Sequence, residues 1–191
     1  MSAKAVQRAE LAERLRALSL PERDGGSAAI AARLRALPAW QAAIARGEGL
    51  ALFLPFGAEP DCGPPPGPAA YPRLAEGGIE LALVENPADP AAWEWTRTAQ
   101  GHRFRQPAAA APRVAPETVT LIAVPGVGFD RRLRRLGRGG GWYDRLLAGL
   151  PPGALKAGLF FSCQELAEIA AAGHDVPLDL VLTEHETIEI T

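Results

Sequence analysis

Five short stretches, 50–54, 79–84, 118–124, 155–161 and 178–182, carry hydrophobic residues almost without interruption. A strand with one wet face alternates apolar and polar residues, whereas a near-continuous apolar run suits a strand covered on both faces, the condition of a parallel sheet between helical layers. Helical patterns over 143–150 and 164–172 follow two of these runs. The pattern predicts an α/β chain, three-layer α/β/α with a mainly parallel central sheet, over residues 49–191.

Ahead of the sheet region, Leu11, Leu15 and Leu18 share one helical face, and Ile30, Leu34 and Leu37 share another behind a capping-type Ser27. Two helices within 3–45 are therefore expected, broken over 21–26 by Pro21, Gly25 and Gly26. The segments 62–72 and 106–116, rich in Pro, Gly and Ala, read as loops, and 93–105 reads as a hairpin at a sheet edge. At 191 residues the whole chain, 1–191, is expected to be one domain.

A net charge of -2 gives no reason to expect nucleic acid as a partner. No apolar run reaches the length of a membrane helix. Cys62 and Cys163 match no metal-ligand spacing and read as free thiols, so a cytoplasmic protein is expected. A monomer is expected as well. Only Lys4 and Lys156 among the 20 basic residues are lysines.

The chemistry concentrates after the third run. A loop rich in glycine (Gly137, Gly139, Gly140, Gly141) and arginine (Arg131, Arg132, Arg134, Arg135, Arg138) leads into Trp142, Tyr143 and Asp144 at a helix start. Glycines at the carboxyl end of a sheet strand let backbone N–H groups approach phosphate oxygens, and arginines add positive charge. The spacing fits neither a Walker A loop nor a dinucleotide fingerprint. Read alone, the stretch is either an anion site or a flexible surface loop with solvated charge. Asp144 is either a magnesium ligand beside phosphates or an acid at a helix N-terminus.

The residues 124–147, VPGVGFDRRLRRLGRGGGWYDRLL, resemble the signature of the 5-formyltetrahydrofolate cyclo-ligase family, and GLFFSCQ (158–164) and HDVPLDLVLTE (174–184) resemble its two later segments in order. Lys4, Arg8 and LFLPFGAEPD (52–61) extend the likeness towards the N-terminus. The resemblance implies that Lys4, Arg8, Arg135, Leu136, Gly137, Arg138, Gly139, Gly140, Gly141, Trp142 and Tyr143 contact ATP. Arg135, Arg138 and Tyr143 would stand at the reacting phosphate, Asp144 and Asp175 would hold Mg2+, and Leu54, Glu59 and Phe104 would meet the folate. Without the resemblance, Glu59 reads as a loop carboxylate and Asp175 as a turn residue. Leu133, Cys62 and Gln106 depart from the family pattern, where a glycine, a threonine and a glutamate are frequent.

The implied reaction is ATP-dependent cyclisation of 5-formyltetrahydrofolate, with or without a polyglutamate tail, to the 5,10-methenyl form through phosphorylation of the formyl oxygen. Two other readings stay open at this point: a diverged ATP-dependent enzyme acting on another amide or carboxylate, and a nucleotide-binding module without turnover.

Overall fold

The computed structural model describes residues 2–98, 101–170 and 175–190. Three helices open the chain, α1 (Ala3–Ala17), α2 (Leu20–Ala36) and α3 (Pro38–Arg46), where two were expected. The expected break at 21–26 is the start of α2. Pro21 sits in the first helical turn, where a missing N–H removes no helical bond. Ser19 caps the helix in a reciprocal box with Glu22, its N–H donating to Glu22 Oε2 at 2.7 Å, so the cap lies at Ser19 and not at Ser27. Gly26 is required by packing, since a Cβ there would come within 2.9 Å of the Phe161 ring. Gly47, left-handed at φ +70, then closes α3.

The strands are β1 (Leu50–Ala51), β2 (Ala69–Ala75), β3 (Gly78–Val84), β4 (Trp93–Arg97), β5 (Arg103–Pro107), β6 (Arg113–Val114), β7 (Leu121–Val124), β8 (Gly128–Phe129), β9 (Arg135–Leu136), β10 (Leu155–Leu159), β11 (Leu180–Leu182) and β12 (Thr187–Glu189). A fourth helix, α4 (Trp142–Ala148), lies between β9 and β10. The main sheet has the order β12-β11-β10-β7-β1-β2-β3-β6. It is parallel from β11 through β10, β7 and β1 to β2, and antiparallel only at its margins.

The uninterrupted apolar runs divide their side chains between two cores. Leu50, Leu121, Ala123, Leu180 and Leu182 face the side packed by α2 and α3, through Ile30, Leu34 and Trp40. Ala51, Ile122, Val124 and Val181 face the opposite side, with Leu146 and Leu147 of α4. Both faces of the sheet are covered, as the patterning required.

Several boundaries differ from expectation. The run 50–54 pairs only at β1, and the run from 118 enters the sheet only at Leu121 after a short 3-10 turn. The runs 155–161 and 178–182 shorten in the same way to β10 and β11. The loop placed over 62–72 ends early, because β2 already begins at Ala69 and pairs with β3 along seven residues. Within 106–116, Gln106 and Pro107 belong to β5, and Arg113 and Val114 form β6.

No α-helix forms over the described part of 164–172. Ser162–Gln164 make a single 3-10 turn, and the chain then runs irregularly over the surface with Leu166 and Ile169 buried against Leu11. Ala171 and Ala172 lie outside the described residues. The hairpin over 93–105 is present as β4 and β5, but as its own two-stranded sheet and not as an edge of the main one.

Both cysteines are free, and burial pushes the Cys62 thiol up to about 12, so it packs as an uncharged side chain. Among the described residues no helix is long and apolar enough to cross a membrane.

Candidate active site

The loop leaving β7 is shaped by one buried acid. Asp130, wholly inaccessible, accepts from the N–H groups of Arg132 (3.0 Å), Arg134 (3.1 Å) and Ile169 (2.8 Å) and from Arg134 Nε (2.7 Å). Burial alone would raise its pKa, but these donors together hold it below the ordinary value of 3.8. The turn around Asp130 reverses the chain between β8 and β9, and Leu133 stands there with φ +59. The glycine frequent at this position in the family is the residue for which that backbone carries no steric cost. Here leucine fits, its side chain buried against Phe129 and Leu178.

The five arginines of the loop do not form one cluster, contrary to expectation. Arg131 is held by Glu165 (2.9 Å) and Glu186 (2.6 Å), Arg134 by Asp130 and Glu168, and Arg132 lies 3.6 Å from Glu168. These three are partnered within the protein. Only Arg135 and Arg138 turn towards the glycines.

Arg135, 6 % exposed, binds Asp144 Oδ1 at 2.7 Å and packs across Gly137, where a Cβ would fall 2.9 Å from its Nη1. Its buried Nε has no hydrogen-bond partner among the described residues, a donor still to be satisfied. Gly139 and Gly141 are both left-handed, at φ +104 and +63, and Gly141 leads into α4 with no side chain capping its first turn. Tyr143, half-buried, lies below the Arg135 guanidinium at 5.7 Å. Desolvation, and then the nearby Glu59 carboxylate, push its phenol pKa well above the ordinary range, so it is a standing O–H donor.

Helix α1 brings the N-terminal cations to this loop. Leu11 packs on Leu136, and Gly128 must lack a side chain because a Cβ would lie 2.4 Å from Leu11 Cδ1. With α1 so docked, Arg8 Nε donates to Gly137 O at 2.8 Å and Lys4 Nζ reaches Asp175 Oδ2 at 2.7 Å. Leu136 thus serves the contact through a side chain that is 1 % exposed, and offers a ligand only its backbone. Trp142 is exposed and turns to a separate cavity of about 260 Å³ with Gly77, Gly78 and Arg145.

Beside the glycine loop lies a cleft of about 1080 Å³ lined by Leu54, Phe56, Tyr71, Trp93, Trp95 and Phe104, among others. The two regions meet at Phe56. Its ring takes the edges of Phe104 (6.3 Å) and His102 (6.1 Å) and the guanidinium of Arg138 at 4.9 Å. Arg138 Nη2 donates to Phe56 O (2.9 Å) and to Glu59 Oε1 (2.8 Å), while Phe56 N–H donates to Glu59 Oε2 (2.9 Å). Burial raises the pKa of Glu59 in spite of the nearby Arg138.

Gln106 ties the hairpin to the sheet, its Oε1 accepting from Leu74 N–H (3.0 Å) and its Nε2 donating to Glu94 (2.8 Å). A glutamate would set two carboxylates together, which accounts for the amide here.

The described residues therefore join Lys4 with Asp175, Arg8 with Gly137, Arg135 with Asp144 and Arg138 with Glu59, and place Leu54 and Phe104 in the adjoining cleft. His174 lies outside them. Sequence reasoning missed Asp130, whose place in a Phe-Asp pair was visible, and the cleft residues Phe56, Trp93 and Trp95, whose signal was the aromatic spacing near the hairpin. No group of three or more His, Cys, Asp or Glu side chains able to hold a metal occurs among the described residues.

The sequence profile of the 5-formyltetrahydrofolate cyclo-ligase family matches residues 71–184. A mitochondrial 5-formyltetrahydrofolate cyclo-ligase of Arabidopsis thaliana is 37% identical over 87 residues, 40% of this chain and 31% of that protein. The cyclo-ligase of Haemophilus influenzae is 37% identical over 59 residues, 30% of this chain and 32% of its own length, so each match covers about a third of the curated relative. The fold of the Aquifex aeolicus 5,10-methenyltetrahydrofolate synthetase superposes with a TM-score of 0.79 at 31% identity, covering 98% of this chain and 93% of that one. The Mycoplasma pneumoniae synthetase superposes at 0.64 with 21% identity over 96% and 99% of the two chains, and shares the fold. With that profile matched over 71–184 and a 31% identical relative covered over 93% of its length, this chain belongs to the 5-formyltetrahydrofolate cyclo-ligase family.

Proposed function

We propose that the protein closes 5-formyltetrahydrofolate to 5,10-methenyltetrahydrofolate with ATP and Mg2+, releasing ADP and phosphate. One observation carries the reading: Arg138, on the glycine loop, and Glu59, beside the aromatic cleft, share a 2.8 Å ion pair, so the glycine loop and the aromatic cleft abut. A reaction between a nucleotide and a planar heterocycle needs that adjacency.

A formamide carbon is a weak electrophile with a poor leaving group. The formyl oxygen attacks the γ-phosphorus and ADP departs, N10 then adds to the activated carbon and gives up its proton, and the oxygen leaves within phosphate. Lys4, Arg8, Arg135 and Arg138 supply donors for the charge spread over the transferring group. The Tyr143 hydroxyl adds a neutral donor, and Glu59, with Leu54 and Phe104, orients the folate.

The donor set suits magnesium, which commonly takes one or two carboxylates together with phosphate oxygens. Asp144 and Asp175, now held by Arg135 and Lys4, are the side chains that would hold it. When bound, Mg2+ neutralises phosphate charge. Because the site residues converge from one chain, we read the working unit as a monomer. We read it as cytoplasmic, a reading that its free cysteines support, and as acting on the folate in mono- or polyglutamate form.

The test is the near-ultraviolet absorbance of the methenyl product on mixing purified protein, MgATP and 5-formyltetrahydrofolate. Product formed in step with ADP supports the reading. ATP turnover without that absorbance, or no turnover at all, overturns it.

A further inference from the structure

Arg138 is claimed twice. The chemistry above needs its guanidinium at the triphosphate, yet in the folded chain that group already serves the wall of the cleft. Its Nε and Nη2 donate to Glu59 Oε1 at 3.1 and 2.8 Å, Nη2 also donates to Phe56 O at 2.9 Å, and the guanidinium lies 4.9 Å from the Phe56 ring centre. The two members of the pair differ in exposure, the Arg138 side chain being 50% accessible and that of Glu59 only 6%. Arg138 can therefore turn to a ligand, whereas the carboxylate cannot follow it into water.

Glu59 is fixed by its own loop. Its second oxygen accepts from the Phe56 N–H at 2.9 Å, closing a turn in which Gly57 is left-handed at φ +73. Among the described residues Arg138 is the only cation that forms a salt bridge with it. Tyr143, whose phenol lies close enough to feel the Glu59 charge, offers only a neutral hydroxyl. Once Arg138 leaves, a buried carboxylate stays behind with one backbone donor, a state far less favourable than the pair. A ligand in the adjoining cleft that brings N–H donors relieves that state.

We infer that Arg138 is exchanged between Glu59 and the triphosphate, so that nucleotide and folate each bind more tightly once the other is in place. The inference rests on the reading above and adds to it a coupling between the two sites. MgATP in the glycine loop draws the guanidinium away and leaves Glu59 in want of a donor. The reduced pterin ring and N10 carry N–H groups that supply one. Conversely, folate seated on Glu59 frees Arg138 for the phosphates. The gain must be equal in the two directions, because both describe one thermodynamic cycle.

The experiment titrates 5-formyltetrahydrofolate into the whole chain by calorimetry, with and without a saturating, non-hydrolysable β,γ-imido analogue of MgATP, and then runs the reverse titration. Wild type is expected to bind each ligand about tenfold more tightly in the presence of the other, within the usual range for coupled sites. Glu59→Gln and, independently, Arg138→Ala should each bring that ratio close to one, with circular dichroism to verify the fold. Arg138→Lys, which keeps a charge able to move between the same partners, should retain part of it, and Arg131→Ala, on the same stretch but paired elsewhere, all of it. A merely structural contact would weaken both titrations alike and leave the ratio untouched. A wild-type ratio near one, or a ratio unchanged in Glu59→Gln and Arg138→Ala, overturns the inference, and failure of either ligand to bind overturns it together with the proposed reaction. If methenyl product forms while the ratio stays near one, the reaction stands and the exchange falls. If the coupled ratio and its loss are seen but no product absorbance appears, the reaction falls and the exchange stands.

Discussion

The glycine loop and the aromatic cleft touch through Phe56, yet they treat charge in opposite ways. In the loop region three cations meet acids, Lys4 with Asp175, Arg135 with Asp144 and Arg138 with Glu59, while Arg8 donates to the Gly137 carbonyl. In the cleft, Arg103 and Arg105 lie on tryptophan faces and no acid answers them. A polyanion entering the loop must exchange ion pairs already made, so its net affinity is the difference between two large terms. A carboxylate entering the cleft meets exposed charge ready to pair, for a modest, salt-sensitive gain. The loop therefore suits a ligand of high charge that brings its own cation, and the cleft an organic molecule with scattered acids.

The largest expected effect concerns what lets the loop keep its shape. Asp130→Ala removes four hydrogen bonds and leaves Arg134 without its buried partner, so a destabilisation of about 3–5 kcal/mol in urea unfolding is expected. The pH dependence has a fixed sign. Because the native pKa lies below 3.8, the contribution of Asp130 is complete above that value and is lost as pH falls through the native pKa. The gap between wild type and variant must therefore narrow in acid. A gap that is small at neutral pH would show the loop to be shaped by β8 and β9 alone.

The next effect separates the two regions directly. Arg138→Ala is expected to lower kcat/KM by about 10²–10³, the usual consequence of deleting one donor to the developing charge. The fold should survive, because Arg138 is half exposed and Glu59, relieved of its partner, can take up a proton. Full activity in this variant would mean that its ion pair is only a clasp between loop and cleft.

How much of this was legible depends on whether the signal was local. The continuous apolar runs announced a sheet covered on both faces, and the glycines before Trp142 announced the loop, since both are properties of neighbouring residues. The break over 21–26 was misread because Pro and Gly disrupt a helix interior, whereas Pro21 lies in a first turn and Gly26 answers Phe161, 135 positions away. The helix over 164–172 was misread because Leu166 and Ile169 are buried against Leu11 of a distant helix and not by a helical face of their own. Charge was the least legible property. Arg131 and Arg138 look alike in sequence, and only Glu165, Glu186 and Glu59, each far along the chain, distinguish them.

Glu59 gives a smaller effect at the junction. Glu59→Gln is expected to raise KM for the folate about tenfold, as loss of one hydrogen bond to a charged group does, with less change for ATP. Its effect on stability runs opposite to that of Asp130. Burial raises the native pKa above the ordinary value of 4.5, so ionised Glu59 weakens the fold, and the penalty is relieved as pH falls from above the native pKa towards 4.5. Glutamine should abolish that gain in melting experiments across the window. An unchanged profile would mean that Arg138 and the Phe56 amide already compensate the buried charge.

The smallest effect is the sharpest control on the comparison. Arg131 belongs to the same arginine-rich stretch, but it is 57% exposed in its side chain and faces Glu165 and Glu186, away from the glycines. Salt bridges at such a surface contribute about 0–1 kcal/mol, so Arg131→Ala should shift stability by no more than that and leave KM for ATP and folate alone. If positive charge density along the stretch were what draws the nucleotide, deleting any one of its arginines would raise KM for ATP by a similar factor, with the same salt dependence. If position relative to the glycines decides, Arg131→Ala is silent where Arg138→Ala is crippling. A KM for ATP raised as much by Arg131→Ala as by Arg138→Ala would dissolve the division between partnered surface arginines and those of the site.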